Sequence, residues 1–191
     1  MLHDTWPESS EAIPRDNASA SGRVPPLGTS ALVVQRDARG YPAAAWARCL
    51  VQATPARLWS VVSNVAAYSE LVPMLHHVRV ERGLATVQLR VGFGLFGSSF
   101  SFVARVEEAP GRSIELAYVS GEPVGMRLRF ELSPGTVDGA TLLSAHVAFD
   151  PDSLGWLAAL MSKRHPELRY GIVPGCALAL AESVRQRAEA R

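Results

Sequence analysis

Gly92, Gly94 and Gly97, in the stretch VGFGLFGSSF, stand at the G-x-G-x-x-G spacing that cradles a pyrophosphate in dinucleotide-binding proteins. That chemistry needs a strand leading in and a helix leading out, because the helix N-terminus supplies the free N–H groups and the positive dipole end that hold phosphate. Beyond Gly97 the chain alternates instead: Phe100, Phe102, Ala104 and Val106 against Ser99, Ser101, Val103 and Arg105, a period of two. The glycines are therefore expected between two antiparallel strands, where they permit sharp twist or close approach, and no nucleotide is expected there. A kinase-type glycine loop does join two strands, but its lysine strand and catalytic loop have no counterpart in this sequence.

The remaining reactive side chains are scattered. His76 and His77 are neighbours in an extended run, so they point to opposite faces and cannot grip one metal together. His146 alternates with Leu143, Ala145, Val147 and Phe149 and is expected to face outward; His165 precedes Pro166 at a helix junction. Ser98, Ser99 and Ser101 have neither a G-x-S-x-G elbow nor a nearby base. Glu107 and Glu108 alternate faces at a strand end. No metal site and no cofactor is expected from this set, and general acid–base work would fall to isolated residues such as Arg105, Tyr118 or His77.

Composition narrows the class further. The chain has 191 residues, 48% of them hydrophobic, with 19 Lys+Arg against 18 Asp+Glu and a formal charge of +1. So even a balance gives no field to draw a polyanion, and nucleic acid is not an expected partner. Arg79 with Arg82, Arg127 with Arg129, and Lys163 with Arg164 read as solvated faces. Cys49 and Cys176, far apart in apolar surroundings, read as buried free thiols. The start, MLHDTWPESSEAIPRDN, lacks the basic end and apolar run of a signal peptide, and no stretch approaches the roughly 18 apolar residues of a membrane span, so a cytoplasmic protein is expected.

These residues need a framework, and the pattern supplies one. Residues 1–29, rich in Pro, Ser and Ala without a sustained period, are expected to form a disordered or loosely attached arm, and residues 30–191 a single domain. ALVVQRD and YPAAAWARCLVQA read as an opening hairpin. Thr54 is a cap candidate, Pro55 takes the first helical position, and Leu58, Val61 and Val62 follow at helical spacing; Asn64 offers a second cap before Val65, Tyr68 and Leu71, and Pro73 stops the run. Six strands are predicted between Met74 and Phe149, joined by turn sequences such as ERG, APGR and SPGTVDG, hence an antiparallel sheet. Asp150 and Pro151 are expected to open a helix through Leu154, Leu157, Ala158 and Met161. A second helix is expected to start at Pro174 and run to about Arg187 with Ala177, Leu180, Ala181 and Val184 on one face.

The segment ATPARLWSVVSNVAAYSELVPMLHHVRV resembles the corresponding stretch of START-like (SRPBCC) proteins, in the branch of polyketide cyclases and coenzyme Q-binding proteins; Pro55, Trp59, Val62, Val65, Tyr68, Leu71, Pro73, Val78 and Val80 fall in register. SFVARVEEAPGRSIEL and LRFEL carry the similarity onward through roughly residues 45 to 190. Asn64 stands where the family usually has Asp, and Leu128 where an aromatic is common.

The resemblance implies an α+β helix-grip fold, a curved antiparallel sheet wrapped around a long C-terminal helix. It also implies a cavity between them for a hydrophobic small molecule such as a lipid, an isoprenoid or quinone, or a polyketide. Phe93, Phe100, Phe102, Tyr118, Met126, Leu128, Phe130, Ala177 and Ala181 are the expected lining, the large residues facing small ones on the helix. Trp59 and Tyr68 are expected to be framework. A non-catalytic carrier or sensor is the leading reading, with a polyketide aromatase/cyclase using isolated polar cavity residues as the alternative. The resemblance also admits transient contact with a membrane and leaves oligomeric state open.

Overall fold

The computed structural model describes residues 24–72, 75–93, 96–154, 163–165 and 167–190, with backbone alone at 91–93 and 96–98. The first hairpin joins β1 (Ser30–Arg36) to β2 (Pro42–Val51). Its turn is closed by the Asp37 carboxylate, which accepts from the backbone N–H of Arg39 and of Tyr41, each at 2.9 Å. Thr54 caps the next element as expected: its hydroxyl accepts from the Arg57 N–H, Pro55 sits in the first turn, and α1 (Pro55–Val62) buries Leu58 and Val62. Asn64 makes no side-chain cap bond, and a single 3₁₀ turn (Val65–Ala67) leads into the one-turn α2 (Tyr68–Leu71). Pro73, the expected stop, lies outside the described residues.

Six strands come next: β3 (Leu75–Glu81), β4 (Leu84–Phe93), β5 (Phe96–Ala109), β6 (Ser113–Gly121), β7 (Arg127–Pro134) and β8 (Thr141–Ala148). All eight strands form one antiparallel sheet in the order β1-β2-β8-β7-β6-β5-β4-β3. Register shifts at Gln35/Arg36, Leu75/His77 and Val103/Ala104 interrupt the ladder, and irregularities of this kind bend a sheet. The glycine motif falls where the alternation places it: Gly92 and Gly97 are partners across the β4–β5 ladder, so no helix N-terminus succeeds them.

One helical expectation is revised, and another lies mostly outside the described residues. Asp150 caps as expected, accepting from the Asp152 N–H ahead of a 3₁₀ turn (Pro151–Ser153), and the helix expected through Leu157, Ala158 and Met161 falls on residues outside the described ones. The last helix, α3 (Leu168–Glu189), begins six residues before Pro174 and carries that proline inside. Pro174 lacks an N–H to give to the carbonyl four residues back, yet its ring is buried, so burial offsets part of the lost bond. A start signal placed at this proline therefore makes the helix too short by nearly two turns.

The hydrophobic core occupies the concave side. Ala45, Ala47, Cys49 and Val51 of β2, Leu143, Ala145 and Val147 of β8, and Val173, Ala177, Ala181 and Val184 of α3 are all buried. α3 packs chiefly on β2 and β8, α1 meets β7 and α3, and α2 meets β3. No helix among the described residues is long and apolar enough to cross a membrane.

Candidate functional site

Alternation along five antiparallel strands brings the expected lining to one surface. Phe100 lies opposite Leu89 and Phe102 opposite Val87 on β4; on the other flank Leu116 faces Leu128, which faces Val147. Phe100, Phe102, Met126, Leu128 and Phe130 are buried on the concave side, and Tyr118, opposite Ala104, is half-buried. The backbone of Phe93 ends β4, and its side chain lies outside the described residues.

Within this set Phe130 is the most enclosed. Its ring meets Tyr68 edge-on, with centroids 5.9 Å apart, and it pairs with Ile114 and Ala145. Tyr68 in turn is buried, and its hydroxyl donates to the Val62 carbonyl at 2.5 Å, tying α2 to the end of α1. Burial pushes the Tyr68 phenol far above its ordinary range, so it serves as a neutral donor. Tyr68 is framework, as expected; Trp59 is only half-buried at the margin of the core, while Leu58 and Val62 carry the buried stripe of α1.

The inward residues grade in size across the sheet. They are mostly large on β4 to β7 (Leu89, Phe100, Phe102, Leu116, Leu128, Phe130, with Ala85 and Ala104 the small exceptions) and mostly small on β2 (Ala45, Ala47, Cys49, with Val51 at its end). α3 settles on the small end, presenting Ala177 and Ala181, both fully buried. Small residues on both surfaces let helix and strand approach closely. The alanines thus seat the helix over β2, away from the aromatic half of the concave face.

Among the described residues, the hydroxyls of Thr141, Tyr68 and Tyr118 on this side are each engaged by the backbone. Thr141 donates to the Ala53 carbonyl at 2.7 Å, Tyr68 to Val62, and Tyr118 to the Gly121 carbonyl at 2.9 Å. Of the three isolated polar residues expected to be capable of acid–base work, only Tyr118 points inward. Arg105 shares parity with Val103 rather than with Ala104 and Val106, so it projects from the convex face, 3.9 Å from Glu107; His77 is exposed opposite Gln88. Both thiols are free, Cys49 buried and Cys176 partly so, and burial pushes each up to about 11, leaving them protonated and unreactive at neutral pH.

His146 keeps the outward parity that the sequence requires, but it is not solvated. It stacks on Trp46 at 4.5 Å and is only 8% exposed. A second cluster escaped the sequence altogether. Asp152 bonds Arg169 at the start of α3 and lies 3.4 Å from Arg39 in the first hairpin, and the Arg169 guanidinium lies 4.9 Å over the Tyr41 ring. This clasp joins residues more than a hundred positions apart, and no local spacing could announce it. Among the described residues no group of His, Cys, Asp and Glu could hold a metal ion.

A curved antiparallel sheet covered by a long C-terminal helix is the helix-grip architecture of START-like proteins. The family model described as "Polyketide cyclase / dehydrase and lipid transport" matches residues 51–167, and the chain belongs to that family. Solved structures share the fold. A START superfamily protein from Mycobacterium smegmatis is 18% identical, with 76% of this chain and 97% of that one covered, at a TM-score of 0.53. The Zhui aromatase/cyclase from a Streptomyces species is also 18% identical, with 84% and 94% covered, at 0.53. A Thermus thermophilus protein is 11% identical, with 75% and 94% covered, at 0.59. No curated protein sequence matches the chain.

Proposed function

We propose that this protein binds an uncharged, mainly apolar small molecule of the lipid, isoprenoid or polyketide class on the aromatic half of its concave face, and acts as a carrier or sensor. The observation that supports this reading most is the offset of the helix: α3 packs chiefly on β2 and β8, while Phe100, Phe102, Tyr118, Met126 and Leu128 gather on and beside β5 to β7. Ala177 and Ala181 form the close-packed border of that region. Carriage is favoured over the aromatase/cyclase alternative because the Tyr118 hydroxyl is already committed to the Gly121 carbonyl.

The magnitudes are consistent with such a role. A ligand burying on the order of 400 Å² of apolar area gains about 10 kcal/mol gross at roughly 25 cal/mol per Å², which after the cost of association leaves roughly micromolar affinity. No ion pair is needed.

An environment-sensitive fluorescent quinone or fatty-alcohol analogue, uncharged like the proposed ligand, should bind the full chain saturably. Tyr118→Arg places a cation on this surface at a half-buried position that the fold tolerates better than the enclosed Leu128, and it should weaken binding by roughly tenfold with little change in Tm. A folded variant that binds the probe as well as the wild type would refute the assignment.

A further inference from the structure

We propose that the convex face of β3, β4 and β5 is a docking surface for an acidic, apolar segment of a partner protein. This face is opposite the ligand surface, and the inference does not depend on that reading. A groove of about 710 Å³ runs across it, lined by Arg79, Glu81, Arg82, Leu84, Thr86 and Val103. Leu84, 41% exposed, and Val103 both line it at outward positions, where alternation would ordinarily put polar side chains. β3 is the last strand of the sheet among the described residues, so the groove adjoins its outer edge.

Charge completes the pattern. The outward positions and the turn carry Arg79, Arg82, Arg90 and Arg105 against Glu81 and Glu107. Arg79 reaches Glu81 at 2.5 Å and Arg105 lies 3.9 Å from Glu107, so both glutamates are already opposed; among the described residues Arg82 and Arg90 have no carboxylate within 4 Å. Arg82 is also held at a backbone angle that disfavours it. It occupies the left-handed region (φ 52°), with Gly83 (φ 77°) after it, in a two-residue hairpin turn whose first position suits Asn, Asp or Gly. A non-glycine residue there costs stability, and Arg82 faces a groove with apolar lining and unpaired positive charge. A segment alternating carboxylates with aliphatic side chains satisfies both features: carboxylates meet Arg82 and Arg90, and aliphatic groups cover Leu84 and Val103. A polyphosphate would leave the apolar lining uncovered and meet Glu81.

The test uses the full chain and a short fluorescein-labelled peptide alternating glutamate and leucine. Fluorescence anisotropy should show saturable binding that weakens as salt rises from about 0.05 to 0.5 M. Arg82→Asn supplies the residue the turn prefers, so its Tm should equal or exceed the wild type while peptide binding falls roughly threefold; with Arg90→Gln added, the loss should reach roughly tenfold. Any one of four results overturns the proposal: no saturable binding, equal binding of a lysine–leucine peptide, unchanged affinity in the double variant, or a lower Tm with unchanged affinity in Arg82→Asn. Stronger association with phosphatidylglycerol vesicles than with the peptide also overturns it, assigning the face to a lipid surface instead.

Discussion

His146 sits in the β8 ladder between Trp46 of β2 and Arg129 of β7, with Arg127 one pair further along and Ser144 two residues back on its own strand. Burial lowers its pKa most, Arg127 and Arg129 add to the effect, and together they bring it down to about 4. Glu115 bridges both arginines, at 3.1 and 3.5 Å, and so keeps their charge from acting undiluted. The unfolded chain has an ordinary histidine at about 6.5. Between those two values the unfolded state binds the extra proton, so stability is full above pH 6.5 and falls as pH drops towards 4. Urea unfolding at pH 7 and 4.5 should show wild type losing about 2–3 kcal/mol more than His146→Phe, a substitution that keeps the stack on Trp46. Equal losses in the two proteins would show that His146 titrates normally in the fold. The sequence revealed the face of the sheet on which this residue lies. It could not reveal that Trp46 covers it, because the pairing of β2 with β8 spans a hundred residues.

Elements were legible wherever the pattern was periodic. The alternation of β5 and β7, the Thr54–Pro55 start of α1 and the strand context of the glycine motif all derive from side-chain spacing that one face of a sheet or helix must satisfy. Punctuation was less legible. Pro174 has the form of a beginning although the helix runs through it, and Asn64 the form of a cap although its side chain makes no cap bond. Proline and asparagine only bias a boundary, and burial of α3 on β2 outweighed that bias. The end of β6 shows a stronger local constraint. Gly121 has φ 102°, and a Cβ there would meet the Ser101 carbonyl oxygen at 2.2 Å, while the Glu122 N–H donates to that same oxygen at 2.9 Å. Gly121→Ala should therefore cost more than about 2 kcal/mol, read as a drop in the urea midpoint, and should displace the carbonyl that holds the Tyr118 hydroxyl. A midpoint unchanged from wild type would mean that β5 and β6 separate there at no cost.

Taken across all eight strands, the sheet is graded: mostly small inward residues on β2 receive a helix rich in alanine, and mostly large ones on β4 to β7 form the surface proposed for the ligand. The sequence showed both sets of residues but not their separation, since which strand lies under the helix depends on β2 pairing with β8. The family places the chain among polyketide cyclase and lipid transport proteins, and the offset helix favours a bound apolar molecule. Native mass spectrometry of the full chain addresses this directly, after purification and after incubation with mixed lipids and quinone analogues. A second species should appear, heavier by one small apolar molecule, that vanishes under denaturing conditions and is depleted in Tyr118→Arg. A chain that carries nothing as purified and takes up nothing from any of these mixtures would contradict the assignment.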